Sequence, residues 1–306
     1  MLSGSNDGAT WLDAHAPTGM KPLSDRQYTT LARARLGLCN VAGFSDAAPQ
    51  ACPACEGVRR GRDARPLAEH VTRLRRTGTH ALHCLQAGEG GFAGKRTKRH
   101  TALRFKLVDA LAAVARPADR ADGIPGAAEP VVTNYYPYKN GITRNSAGHH
   151  GEEARADIAV NLNGPVLLDV VVTHPVPSTL PSTTAAAGAA ASSAFTAKQN
   201  HYSSFDIPVG KCVPLSFETG GCIEPRTLTF LKDFVKYGLA TGNNTQPVWD
   251  AATRVEYNTR LRSICVTISL MIARSVADTL ISGSTVLASR VPGVGAAPGE
   301  GPAAGT

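Results

Sequence analysis

The stretch LLDVVVTHP, residues 167 to 175, sets one carboxylate, Asp169, inside a run of leucines and valines. Such a run, closed by His-Pro, reads as a strand buried on both faces. An ionised carboxylate there is costly unless something cationic meets it. The residues before it narrow the possible folds. ARADIAVNL (154–162) reads as a partner strand, Asn163-Gly164 as a hairpin turn, and PVLLDVVVTHP (165–175) as the return strand. Asp157 stands six residues before Asn163 and Asp169 five after Gly164, so antiparallel pairing brings the two acids together to within about a residue.

Two adjacent carboxylates repel and raise each other's pKa unless a cation lies between them. Mg²⁺, with Mn²⁺ as its substitute, is the usual solution, held by one or two carboxylates together with substrate phosphates. An ion so placed polarises a phosphodiester and activates water, and a nearby amine offsets transition-state charge. Lys198 lies in the Ala-rich segment that follows the hairpin, with Tyr202 four residues on along the same helical face. The alternative is structural: Asp157 and Asp169 pair with Arg155 or Lys198 as salt bridges.

The remaining pattern gives a fold class. YTTLARARLGLCN (28–40) is expected to be a short amphipathic helix. RHTALRFKLVDALAAVARPA (99–118) carries Leu103, Leu107, Leu111 and Val114 at helical spacing and ends at Pro117. EPVVTNYYPY (129–138) reads as a strand, TAAAGAAASSAFTAKQNHYSSF (184–205) as a helix, and KCVPLSFETGG (211–221) as another buried strand. Residues 226–238 and 248–281 read as helices. The order of helix, two or three antiparallel strands, helix, strand and helices implies a mixed α/β domain with helices flanking a central sheet. Residues 1–27 and the Gly/Pro/Ala-rich 286–306 offer little to bury.

The 306-residue chain has a net charge of +8 and a pI near 9.3. Its basic residues cluster in GVRRGRDARPLAEHVTRLRRTG (57–78) and GKRTKRHTALRFK (94–106). Such clusters suit a polyanion, nucleic acid being the commonest; the alternative is a solvated basic face. Candidate phosphate contacts are Arg73, Arg75 and Arg76 in the first cluster, and Lys98, Arg99 and His100 in the second. His100, opening a helix, is alternatively a cap or a packed residue. The first residues lack the plan of a signal peptide, and SICVTISLMIARSVADTLI, broken by Arg274 and Asp278, reads as too short and too charged for a bilayer span. A soluble intracellular protein that does not enter membranes is expected. Seven cysteines, four of them scattered, do not resemble a small secreted disulfide framework.

CPAC (52–55) and HALHC (80–84) supply Cys52, Cys55, His80 and Cys84. A CxxC pair offers two thiolates on one edge of a tetrahedron, and a His/Cys pair four apart supplies the other, the donor set of a structural zinc site. The halves are separated by 24 residues, with His70 and His83 as rival ligands. Reduced thiols without metal are the alternative. Cys39, Cys212, Cys222 and Cys265 sit in apolar or turn contexts and read as packing residues.

Taken in order, the CxxC…HxxxC element, Arg99-His100 followed by ALR (102–104), RADIAV-NLNGP-VLLDVVVTHP, AAAGAAASSAFTAK-QNHY and VPLSFETGG resemble one family. It is the PD-(D/E)xK restriction-endonuclease-like domain, as found at the C-terminal end of reverse transcriptases of site-specific non-LTR retrotransposons. The resemblance covers roughly residues 35 to 280. It implies a metal-dependent DNA endonuclease with a nuclease-like domain over 99–285, preceded over 28–98 by a helix and a CCHC zinc element with a basic insert. Asp157 and Asp169 would bind Mg²⁺ or Mn²⁺, with Lys198 as the catalytic amine. DNA would be the partner, with RNA as part of a retrotransposition complex, and the nucleus the location. Glu218 resembles an acid that would serve in the metal shell or simply end the strand, the latter being favoured. The chain departs from the pattern at Ala156 for proline, at Val171 for the lysine, and at Phe105 where relatives often carry an acid. No YxDD polymerase motif is present. The competing function is a non-cleaving, zinc-containing nucleic-acid-binding remnant of the same fold.

The cysteine pattern makes one expectation measurable. Purified protein should carry about one zinc per chain, and Cys52→Ser combined with Cys55→Ser should lose it and destabilise residues 50–90. Elemental analysis of carefully purified wild type checks this, and absence of zinc would end the idea.

Overall fold

The computed structural model describes residues 20–36, 82, 92–116, 129–139, 154–174, 188–241 and 244–288. Its elements are α1 (Asp25–Arg35), α2 (Phe92–Val114), a 3₁₀ turn (Val132–Asn134), β1 (Ile158–Asn161), β2 (Pro165–Thr173), α3 (Ala189–His201), β3 (Cys212–Glu218), α4 (Pro225–Leu239) and α5 (Ala251–Ala288). The chain is a mixed α/β protein with one small sheet among its described residues. Two compact units are distinguished: one holds α1 and, from Val276, the end of α5, while the other runs from Arg96 to Ser275 and holds the sheet.

In the first unit, α1 begins at Asp25, three residues earlier than apolar spacing alone suggests. Ser24 and Gln27 form a reciprocal capping box: the Gln27 N–H donates to Ser24 Oγ, and the Ser24 N–H donates to Gln27 Oε1 at 2.9 Å. Two orphan donors are satisfied there. The Gln27 side-chain amide also donates to Asp278 Oδ1 at 2.8 Å.

In the second unit the strand order is β1-β2-β3, with β1 antiparallel and β3 parallel to β2. The sheet is therefore mixed: the hairpin strands are antiparallel as expected, and β3, whose direction the sequence left open, runs parallel to β2. A parallel pair needs a long crossover, and α3 lies in the segment that joins β2 to β3. The expected strand over 129–138 is also corrected: the segment forms the 3₁₀ turn, with isolated bridges pairing Val131 with Arg155 and Tyr138 with Phe205. Pro130 and Pro137 lack the N–H groups that a ladder requires. The segment covers the hairpin instead, and the Tyr136 hydroxyl donates to the Pro165 carbonyl. Val132, Tyr136, Ala154, Ala156, Ala159, Leu167, Tyr202 and Phe205 form the apolar cluster beneath it.

The hairpin turns where expected, with Asn163 at φ 49° and Gly164 at φ 101°. Its register differs from that of a two-residue loop. Such a loop would need reciprocal bonds between Leu162 and Pro165, and proline has no N–H to give. Asn161 pairs with Pro165 instead, and the turn is closed by the Leu162 N–H on the Gly164 carbonyl and the Gly164 N–H on Asn161 Oδ1.

Glu218, at the end of β3, is buried, and its Oε1 accepts the N–H groups of Ala190 (3.1 Å) and Ala191 (3.4 Å). The N-cap of α3, Gly188, offers no side chain, so a carboxylate from a neighbouring strand caps this helix and meets its dipole. Ser216 Oγ donates to the Ala191 carbonyl at 2.7 Å, a second tie between α3 and β3. Glu224 caps α4 from within its own chain segment, accepting from the N–H groups of Arg226 and Thr227.

The face of α2 carrying Leu103, Leu107, Leu111 and Val114 is buried, as its spacing implies. Helix α5 is longer than the sequence reading allowed. Its Ala251–Ser282 portion is long and apolar enough to cross a membrane, and 67 % of its most apolar window is buried inside the protein. Ile264, Ile268, Leu270, Ile272 and Val276 are core residues, so packing accounts for its hydropathy.

One glycine of α4 makes a sharp prediction. A Cβ on Gly238 would lie 2.0 Å from the Val114 carbonyl oxygen. Helix propensity alone would favour Gly238→Ala by about 1 kcal/mol. The backbone clash reverses the sign, and the variant should lose about 3 kcal/mol, at the upper end of overpacking effects. Urea unfolding of wild type and variant measures the difference.

Candidate active site

The site is built where β1 leaves the sheet. Ile158 pairs with Leu168, yet the Asp157 N–H also donates to the Leu168 carbonyl at 2.9 Å. Two residues of one strand thus face one of the other, a β-bulge, which re-aims side chains. Ala156 then turns away to the Pro130 carbonyl. Val170 of β2 is left facing side chains rather than a strand: its N–H donates to Asp157 Oδ2 at 2.6 Å, and its carbonyl lies 3.0 Å from His100 Nε2.

Asp169 stands in the middle strand, its side chain 5 % exposed. Lys198 Nζ, from the last turn of α3, lies 2.9 Å from Asp169 Oδ2, and the Tyr202 hydroxyl donates to the same oxygen at 2.7 Å. Tyr202 Oη also lies 3.1 Å from the Arg155 carbonyl. Val171, the position where the family pattern would carry lysine, is two residues beyond Asp169 and so on the same face of β2. An amine from α3 reaches the face that a lysine at 171 would have served. Lys198 is 38 % exposed, so its amine bridges the buried acid and solvent.

Asp157 lies 3.0 Å from His100 Nε2, and it is near enough to Asp169 for the two carboxyls to shift each other's titration. Burial pushes the Asp169 carboxyl up to about 6, helped by the Asp157 charge and opposed by Lys198 and Tyr202. At Asp157 burial also works to raise the pKa. The hydrogen bond and charge of His100 outweigh it, with Asp169 and the Val170 N–H, and hold this carboxyl below its ordinary value. The bond to Asp157 raises the His100 pKa. One carboxyl of the pair therefore keeps a proton in mildly acidic solution while the other is ionised. Burial, then the Asp169 charge, pushes the Tyr202 hydroxyl far up, so it remains a donor. Burial likewise pushes the Cys212 thiol up to about 12.

The structure thus brings Asp157, Asp169 and Lys198 together and adds His100 and Tyr202. Of the sequence alternatives for His100, a phosphate contact, a cap or a packed residue, the structure shows the last: its ring is turned to Asp157 and Val170. Helical phase carried the signal, because His100 precedes Leu103 by three and Leu107 by seven and so shares their buried face. Arg99 is 5 % exposed, which withdraws its side chain from a surface phosphate. Lys98 lies in α2, with its side chain outside the described residues. Also outside them are Arg73, Arg75 and Arg76 and the zinc candidates Cys52, Cys55, His80 and Cys84. Asp109 is exposed and paired with Lys106, and Phe105 is half-exposed. Glu218 acts as a helix cap.

Among the described residues no group of three or more His, Cys, Asp or Glu side chains is arranged to hold a metal ion. The acidic pair offers two carboxylates, which fits the one or two that Mg²⁺ usually takes from a protein, with water and phosphate completing its shell. Comparison with family models, curated proteins and solved structures found no match for this chain.

The titration of the pair has a definite sign. Asp169 rises from 3.8 to about 6, so over that interval the folded chain holds more protons than the unfolded one, and stability falls as pH rises. His100 acts in the same sense, its contribution being complete below 6.5 and lost as pH rises through its raised pKa. Asp157 contributes oppositely, but only in acid, where pH falls below 3.8. Without added metal, stability should therefore drop between about pH 4 and 7, Asp169 contributing roughly 2 to 3 kcal/mol. Asp169→Asn should flatten the profile between about pH 4 and 6 and raise the thermal midpoint at neutral pH. Thermal melts across this range check both.

Proposed function

We propose that the chain carries a metal-dependent DNA endonuclease domain of the PD-(D/E)xK restriction-endonuclease-like kind, from a retrotransposon-type protein. The observation that carries the reading is the placement of Lys198 Nζ 2.9 Å from Asp169 on β2, with Asp157, just before β1, near enough to raise the Asp169 pKa. A mixed sheet with helices, one acid just before its first strand, the other on its second and the amine on the following helix, is consistent with it.

In this reading Asp157 and Asp169 hold Mg²⁺ or Mn²⁺, which when bound supplies Lewis-acid polarisation of the scissile phosphate. The burial and the Asp157 charge that raise the Asp169 pKa would be offset by a cation held there, which favours the ionised form of Asp169. Tyr202 fixes the Asp169 carboxylate by donating to Oδ2. Lys198, exposed on one side, orients the attacking water and offsets charge on the pentacovalent phosphorus. Cys52, Cys55, His80 and Cys84 would form a structural zinc site that orders the basic segment of Arg73, Arg75 and Arg76 against DNA. RNA is a further partner in a retrotransposition complex, and such a protein acts in the nucleus.

One observation favours the competing reading, a non-cleaving nucleic-acid-binding remnant: Lys198, Tyr202, His100 and the Val170 N–H meet the charge of the pair without any metal.

Plasmid nicking separates the two. Wild type with Mg²⁺ or Mn²⁺ should convert supercoiled to open-circular DNA. Asp169→Asn should abolish this while leaving DNA binding by fluorescence anisotropy largely intact. Lys198→Ala should slow it by about two orders of magnitude or more, the usual cost of one electrostatic stabiliser. A wild type that binds DNA and never nicks it establishes the remnant.

A further inference from the structure

Where β1 has left the sheet, two oxygens from different chain segments converge on one nitrogen. His100 Nε2 lies 3.0 Å from Asp157 Oδ2 and 3.0 Å from the Val170 carbonyl oxygen. A carbonyl oxygen can only accept, so Nε2 carries the proton and serves both oxygens with a single N–H. Hard oxygen donors converging on one point are what a small divalent ion takes, at about 2.0 to 2.1 Å. An ion bonded to both would occupy the space in which the Nε2 hydrogen lies.

We propose that the His100 Nε2–H holds the place of the divalent ion: ring and ion compete for Asp157 Oδ2 and the Val170 carbonyl, and the ion enters as the ring swings out. The inference rests on the metal-dependent reading above. Nothing large has to move. The His100 side chain is 33 % exposed, so its ring has a path to solvent. Leu103, Leu107 and Leu111 keep α2 anchored while the ring rotates. The device gives the Val170 carbonyl a donor in the metal-free chain and adds a second to Asp157 Oδ2, which also accepts the Val170 N–H. His100 is a positioning residue here, because it withdraws from the reacting centre.

Calorimetric titration of the full chain with Mn²⁺ tests the competition. His100→Ala should bind Mn²⁺ about tenfold more tightly or better than wild type, the effect of removing one hydrogen bond to a charged group. Asp157→Asn should lose binding in both backgrounds. Unchanged or weaker binding by His100→Ala overturns the competition; weaker binding would make the ring a metal ligand. If neither wild type nor His100→Ala binds Mn²⁺, the metal-dependent reading falls, and this inference with it. A second measurement needs no variant: the hydrogen-bonded Nε2 proton of His100, seen by NMR in the metal-free chain, should disappear on adding Mg²⁺. Its persistence at saturating Mg²⁺ also overturns the proposal.

Discussion

A carboxylate in the middle of three strands has given up nearly all its water, and the protein around Asp169 is arranged to replace that hydration. Lys198 and Tyr202 arrive on one oxygen, while the nearby Asp157 charge works against ionisation. These partners come from different parts of the chain, so the fold must bring a hairpin and a following helix to one place before the acid is tolerable. The cluster of Tyr136, Leu167, Tyr202 and Phe205 seals this region with apolar side chains. Low local polarity strengthens each of the polar contacts it encloses.

The position of Lys198 depends on contacts at the far end of its helix. Glu218 caps the first turn of α3 and Ser216 bonds the same turn, both from β3. Residues 216 and 218 belong to the strand that runs parallel beside β2, so the helix is located relative to the strand that carries Asp169. The carboxylate that sequence favoured as a strand-end acid is here a structural brace, and it braces the element that delivers the amine.

Much of this was legible in the amino-acid order. The spacing of Leu103, Leu107 and Leu111 marked the buried face of α2, and Asn163-Gly164 marked the turn that brings the two acids together. What escaped depended on partners distant in sequence. The direction of β3 is one case, because VPLSF reads the same whether its neighbour runs parallel or antiparallel. EPVVTNYYPY has the aromatic and branched residues of a strand, yet its prolines leave it bridging the hairpin rather than joining the sheet. His100 is legible as a packed residue of its helix and its partners are not, since helical phase shows that a side chain is buried and not what it meets. The apolar run in α5 was visible; that it packs against the protein itself was not.

Pro165 has a reach that its place in a surface turn conceals. Side chains on paired strands share a face only with the residues opposite them, so sliding a hairpin by one residue turns one strand over. With an ordinary residue at 165, the two-residue loop could close, Ala159 would stand opposite Leu168, and the residues of β1 would trade faces relative to those of β2. The missing N–H of one imino acid excludes that arrangement. The register on which the two carboxylates depend is thus set by a turn residue four positions from Asp169 and eight from Asp157, and selection on the acidic pair would act on a residue outside it.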